Sequence, residues 1–385
     1  MTVGPDRLAV GIDVSAIPID PRGAGRYAIE LVRALQDRDR IGLRLSTRKD
    51  DGGRWRHLAP EADVRAVVPN GRARRLAWEQ VAGPRFVDRW GIGVHHGPHY
   101  TMPEIAKVPK VVTVHDLTFF DHPEWHEKVK VAVFKRAIRA AAERADTIVC
   151  VSGPTRRRLL DLVDPQCPVV AIPHGIDHDL FRPDGGGDDD AVVAGVGLRR
   201  PFVAFLGTLE PRKDVATLVA AFDAVAAHHP DLQLAVAGGS GWGNERFDAA
   251  VEASPFADRI VRTGYVEDAV IPALMRQAGI VVYAALEEGF GLPALEALAC
   301  GAPVITTEGS VMEEITGGAA WLVPAGDVPA LAARLEAVLD PASAGERRVR
   351  RARGLEVAAR YTWDAAAAAH EDVYTEVAEH GALRR

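Results

Sequence analysis

A chain of 385 residues with 48% hydrophobic and 26% charged side chains has the balance of a globular protein, and its length favours two domains over one core. No apolar run reaches the roughly 20 residues that span a bilayer. The opening MTVGPDRLAVGIDV lacks the basic start and apolar core of a signal peptide, so a cytoplasmic protein is expected. Cys150, Cys167 and Cys300 lack metal-type spacing and read as free thiols in a reducing compartment. The net charge of −7 is uneven: residues 1–183 carry 29 Lys+Arg against 23 Asp+Glu, whereas residues 184–385 carry 17 against 30. A basic first half suits an anionic partner, such as a membrane surface or an acidic acceptor, or is simply an arginine-rich surface. No stretch interleaves many basic and aromatic residues, which argues against nucleic acid.

Apolar runs of strand length alternate with helical patterns, as in strand–helix–strand units around a parallel sheet. In the first half LAVGIDV, LRLST, VVTVHD, TIVCVS and VVAIPHG read as strands, with AGRYAIELVRALQD and VKVAVFKRAIRAAAERA as helices. RPDGGGDDDAVVAGVGLRR then reads as a flexible connection. The alternation restarts with PFVAFLG, LQLAVAGG, RIVRTG, IVVYAA and APVITT as strands, and DVATLVAAFDAVAAHH, DAVIPALMRQA and LPALEALAC as helices. YTWDAAAAAHEDVYTEVAEH closes the chain as a long helix capped by Thr362. Two doubly wound halves follow, with a ligand expected between them, at the carboxyl ends of their strands.

Four stretches carry chemistry. In EEGFGLPALEALACGAPVI, Pro293 suits a first helical turn and Gly301 a helix end, so the helix is expected over 293–300 with Glu296 in its first turn. Glu288 lies on the preceding loop, roughly 12 Å away if all the intervening residues were helical. The two acids are therefore not a proton-sharing dyad but contacts for separate parts of one elongated ligand. Gly289 and Gly291 admit close backbone approach, and the helix start offers N–H groups to a phosphate. The plain alternative is a capping turn with one acid favouring the dipole. In FLGTLEPRKD a strand ends at Gly207, and Arg212 and Lys213 are expected to open the next helix. Adjacent cations there suit a diphosphate, although a solvated Arg–Lys pair is common.

Gly23 and Gly25 in IPIDPRGAGRYAIELVRAL form a glycine loop after the first strand, either an anion or sugar site or a tight turn. His115 and Asp116 in VVTVHDLTFF end a buried run at the sheet edge; they position a hydroxyl, serve acid–base chemistry, or are structural. The histidines of VHHGPHY have no accompanying ligand spacing, so no metal is expected.

In these motifs the chain resembles retaining glycosyltransferases of family 4 over nearly its whole length. EEGFGLPALEALACGAPVI is similar to the family's E-x7-E element through Glu288 and Glu296, and GTLEPRKD to its Arg/Lys phosphate loop. RGAGRYAIELVRAL is similar to the glycine loop of the first domain. VHDLTFF, VCVSGPTRRRL and IPHGIDHDLFRP are similar to its His loop, its serine-started helix and the segment entering the linker. RRLAWEQVAGPRF and HHGPHYTMP resemble most a bacterial subgroup with many mannosyltransferases.

The resemblance implies the α/β GT-B fold, two Rossmann-like domains with the donor site in the cleft between them. The expected boundaries are 1–183 for the acceptor-side domain, 184–200 for a linker, 201–360 for the nucleotide-sugar domain, and 361–385 for a helix returning to the first domain. It implies transfer of a hexose, mannose by preference, from GDP-mannose or a UDP-hexose to a glycan or lipid-linked acceptor, with retention and without a cofactor. Arg212 and Lys213 would hold the diphosphate, Glu288 the sugar hydroxyls and Glu296 the ribose. The backbone of Gly289, Phe290, Gly291 and Leu292 would touch sugar and phosphate. Gly25 would lie by the phosphates, His115 would reach the donor sugar, and Tyr265 and Val266 would meet the base. Asp214 departs from the family's usual asparagine. A non-catalytic nucleotide-sugar-binding protein is the alternative of a different class, and phosphorolysis or epimerisation would keep the fold but change the reaction. Arg72, Arg74, Arg75 and Trp78 are the candidate surface for peripheral contact with an anionic inner leaflet.

Overall fold

The computed structural model describes residues 7–19, 21, 23–185 and 187–383. The leader reading on residues 1–6, part of the glycine loop (Asp20 and Arg22), Gly186 of the expected linker, and the last two residues lie outside them. The chain forms two compact units, one comprising Met1–Gly175 with Trp363–Arg385, the other Ile176–Thr362.

The first unit is a parallel sheet of β1 (Leu8–Asp13), β2 (Ile41–Arg48), β3 (Asp63–Val68), β4 (Val94–Gly97), β5 (Lys110–Val114), β6 (Thr147–Cys150) and β7 (Val169–Ala171). Their order is β3-β2-β1-β4-β5-β6-β7. The second holds β8 (Phe202–Leu206), β9 (Gln233–Ala237), β10 (Ile260–Gly264), β11 (Ile280–Tyr283), β12 (Val304–Thr307) and β13 (Trp321–Val323), ordered β10-β9-β8-β11-β12-β13. Every pairing is parallel, and β5, β8 and β9 are buried along their whole length, which is why they read as unbroken apolar runs. Each order reverses beside its first strand, between β1 and β4 and between β8 and β11. Loops diverge there and leave a crevice at the carboxyl edge.

Three strands escape the pattern reading. β3 is half exposed, and β13 is only three residues long. β4 has the sequence VHHG, yet it lies in the centre of its sheet and is fully buried. Of its two histidines, His96 is satisfied by a chain of hydrogen bonds, whereas the ring nitrogens of His95 are buried without a hydrogen-bond partner. His370 Nδ1 lies 2.7 Å from the Ala366 carbonyl, which can only accept, so Nδ1 donates. Nε2 of His370 then accepts from Tyr27 Oη at 2.9 Å. Tyr27 Oη accepts from Thr113 Oγ1 at 3.0 Å, Thr113 from His96 Nε2 at 2.8 Å, and His96 Nδ1 from Tyr374 Oη at 2.7 Å. One proton arrangement, with both imidazoles neutral, satisfies the whole chain. It joins β4 and β5 to the helices Ala24–Gln36 and Trp363–Leu383, so the terminal helix is an integral part of the first unit.

The expected linker is corrected by the structure. The boundary falls at Gly175 rather than 183, and residues 361 and 362 close the second unit rather than starting the terminal helix. Within 184–200, Asp188 caps the helix Asp189–Gly195 by accepting from the Ala191 N–H at 3.1 Å. Asp189 takes both arms of Arg276 at 2.7 Å each. The aspartates that looked like a flexible tract are a cap and an anchor.

Candidate active site

At the reversal between β8 and β11 the second unit brings Glu210, Arg212, Lys213 and Glu288 together. Beyond β8, Gly207 has φ +153°, and beyond β9 so does Gly238, where a Cβ would stand 1.9 Å from the Gly207 carbonyl oxygen. A side chain at position 238 is thus excluded. Pro211–Lys213 forms one 3-10 turn, and Asp214 sits in the left-handed region at φ 47°, ψ 44° before the helix Val215–Ala226 begins. Arg212 and Lys213 therefore precede the helix instead of opening it. Asparagine and aspartate tolerate this conformation, so Asp214 keeps the geometry; its Oδ2 accepts from Thr217 Oγ1 at 2.7 Å.

The loop after β11 docks on this turn through the Leu286 N–H, which donates to the Arg212 carbonyl at 2.8 Å. It ends at Gly291, left-handed at φ 94°, where a Cβ would lie 2.7 Å from Met312 Cγ. Helix Leu292–Ala299 follows, one residue earlier at each end than expected, so Glu296 falls in its second turn and is buried.

Glu288 lies between the two cations. Its Oε1 is 2.5 Å from Arg212 Nη1 and 2.5 Å from Lys213 Nζ. Tyr283 Oη donates to the same oxygen at 2.8 Å and also contacts Lys213 Nζ. Glu210 holds the other edge of Arg212, Oε2 to Nε at 2.8 Å. Burial alone would raise the Glu288 carboxyl, but the charges of Arg212 and Lys213 prevail and bring it down to about 2. Burial pulls the Lys213 ammonium below its ordinary value while Glu288 pulls it back. The result is a desolvated, two-cation seat for an anion. Tyr283 and Glu210 were not singled out from the sequence. The tyrosine closing an otherwise aliphatic strand, and the acid two residues before Arg212, are the signals that point to them.

Gly207, Arg212, Lys213 and Glu288 are thus brought together. Tyr265 stands 60% exposed just beyond the left-handed Gly264, Val266 is half-buried, and Phe290 is buried with its ring 6.0 Å from that of Tyr361. Gly289 and Leu292 flank Gly291 on the same loop.

In the first unit Gly23 precedes the helix Ala24–Gln36 at φ 47°, and a Cβ on Gly25 would meet Pro21 Cβ at 3.0 Å, a packing reason for glycine there. His115 is buried, with Nε2 2.8 Å from the Pro98 carbonyl. Nε2 must donate, which leaves a lone pair on Nδ1; burial pushes its pKa down. Asp116 is a local cap, accepting from Thr118 N and Oγ1 at 3.2 and 2.8 Å. Of the candidate membrane surface, Arg72 and Arg74 are exposed and Trp78 half-buried. Arg75 is buried and leaves the patch, because it lies on the inner face of helix Arg72–Val81 with Glu79. Among the described residues no group of three or more His, Cys, Asp or Glu side chains is placed to hold a metal, and no helix is long and apolar enough to cross a membrane.

Two α/β units of this topology, one carrying an anion seat at its strand reversal, define the architecture of GT-B glycosyltransferases. Residues 21–180 match the family model described as Glycosyltransferase Family 4, and residues 190–354 the model described as Glycosyl transferases group 1. The chain belongs to this glycosyltransferase family. It is 29% identical to O-antigen chain mannosyltransferase B of Escherichia coli over 274 residues, 70% of this chain and 71% of that one. It is 28% identical to the phosphatidyl-myo-inositol mannosyltransferase of Mycobacterium leprae over 378 residues, 94% and 95% of the two chains. Its fold superposes on an Anabaena protein, Alr3699/HepE, solved with UDP and glucose, at a TM-score of 0.76 and 16% identity, covering 96% of this chain and 100% of that one.

Proposed function

We propose that the protein moves a hexose, mannose by preference, from a nucleoside diphosphate sugar to a glycan or lipid-linked acceptor, with retention of configuration and without a metal. The observation that carries this reading is the meeting of Arg212, Lys213 and Glu288 at the strand reversal of the second unit. Glycosyl transfer develops positive charge on the sugar and negative charge on the departing diphosphate. A fixed guanidinium and ammonium in a poorly hydrated seat stabilise that leaving group, the task a divalent cation would otherwise perform. Glu288 then serves the sugar hydroxyls and Glu296 the ribose. Tyr265 and Val266 serve the base, Gly23 and Gly25 the phosphates, and the Gly289–Leu292 backbone both sugar and phosphate. His115, its Nε2 proton already committed, acts toward the donor sugar as a hydroxyl acceptor through Nδ1 rather than as an acid.

Two relatives named as mannosyltransferases favour mannose, hence GDP-mannose, and their printed acceptors, an O-antigen chain and phosphatidyl-myo-inositol, favour a glycan or lipid-linked acceptor. The Anabaena neighbour with UDP and glucose supports the nucleoside diphosphate sugar class. A thermal-shift panel of GDP-, UDP- and ADP-sugars, followed by product analysis with the stabilising donor, tests the reading. GDP-mannose should raise the midpoint most, and transfer should persist in excess chelator with the anomeric configuration kept. Saturable binding with neither transfer nor donor hydrolysis would point instead to a non-catalytic nucleotide-sugar binder.

Peripheral contact with the inner leaflet is the companion proposal, resting on exposed Arg72 and Arg74 and the basic first half. Sedimentation with anionic vesicles at low salt should retain the protein and high salt release it; no retention at low salt removes the proposal.

A further inference from the structure

We propose that Glu288 is a built-in competitor of the donor's diphosphate, a carboxylate seated on the very cations that the diphosphate needs. The inference rests on the donor reading above, in which Arg212 and Lys213 bind that group. Three donors, Arg212 Nη1, Lys213 Nζ and Tyr283 Oη, converge on the single oxygen Oε1 of Glu288 within 2.5–2.8 Å. That is the environment an anionic phosphoryl oxygen seeks. The other edge of Arg212 is taken by Glu210, so the guanidinium has no second carboxylate-sized fork to offer. Lys213 and Glu288 are only 8% and 10% exposed, so water screens neither charge well.

A diphosphate entering this seat meets a fixed negative charge and must draw the cations away from it. An intact donor provides compensation, because its sugar hydroxyls can satisfy the released carboxylate. The product diphosphate carries no sugar and offers none. Glu288 therefore favours the sugar-bearing nucleotide over the spent one, returning to the cations after transfer and speeding product release.

Titration calorimetry of wild type and Glu288→Gln with GDP, UDP and ADP, with inorganic pyrophosphate, and with the parent nucleosides tests this. Gln keeps the side chain's size and its acceptor for Tyr283 but removes the charge. The diphosphate that binds wild type should bind Glu288→Gln on the order of tenfold tighter, since one like charge has left a poorly screened site. Pyrophosphate should tighten likewise and the nucleoside should not change, while sugar transfer is lost. Equal or weaker diphosphate binding to the variant overturns the proposal. Wild type that binds no nucleoside diphosphate overturns the donor reading instead, so the two failures are distinct. A thermal midpoint checks that the variant folds; should it not, Glu288→Ala, which also removes the charge, carries the same expectation and the same overturning result.

Discussion

Lys213→Ala should lower the rate of sugar transfer by about 10²–10³-fold at saturating donor, the range found when one preorganised stabiliser of transition-state charge is removed. The ammonium is 8% exposed, so water replaces it poorly. Charge on the leaving diphosphate peaks after the sugar–oxygen bond begins to break, so the loss should fall mainly on kcat and less on KM. The fold should survive, because Arg212 Nη1 still lies 2.5 Å from Glu288 and keeps that buried carboxylate paired. Initial rates for the two proteins, with the thermal midpoint of each, decide the matter. A folded variant that turns over within tenfold of wild type would remove Lys213 from the catalytic role.

The first unit should lose stability steeply as pH falls below about 6.5, from the histidines it buries. His95 and His370 are each carried down from 6.5 to about 4, chiefly by burial. His96, His99, His115 and His174 shift in the same direction for the same first reason. Their folded values lie below the unfolded one, so the unfolded chain binds more protons between those limits. Stability is thus complete above about 6.5 and is lost as pH drops toward 4. For His95 and His370 alone, about 1.4 kcal/mol per pH unit each makes the loss about 4 kcal/mol between pH 7 and pH 5. Protonated His370 could no longer accept from Tyr27, and the chain of bonds through Thr113 and His96 to Tyr374 would be broken at one end. Urea unfolding at pH 7.5 and 5.0 should show this, with a shallower slope in His370→Gln. A midpoint that does not move between the two pH values is inconsistent with neutral buried histidines.

Much of the second unit is legible in its sequence. Its strands are apolar runs because parallel strands are covered on both faces, and its candidate site residues lie beside glycines and prolines that only special backbone geometry requires. The first unit was read less well. A strand spelled VHHG carries no periodic signal, and its identity as the central β4 depends on Thr113 and Tyr374, 17 and 278 positions away. The aspartates of 184–200 resembled a solvated tract because Asp189 finds its partner in Arg276, far along the chain. Arg75 counted as surface until helix packing turned it inward.

By itself the sequence determined the class of fold and the two-unit plan, and it singled out Arg212, Lys213 and Glu288 as candidates, since these follow from local patterning and from motifs whose spacing is short. Only the tertiary structure decided that one oxygen of Glu288 holds both cations with Tyr283, and that their charges, against the effect of burial, leave it ionised. It also decided where the units divide and which ring nitrogen carries the proton in His96, His115 and His370. Those properties depend on distances between residues remote in sequence, and on how much water the fold removes from around them.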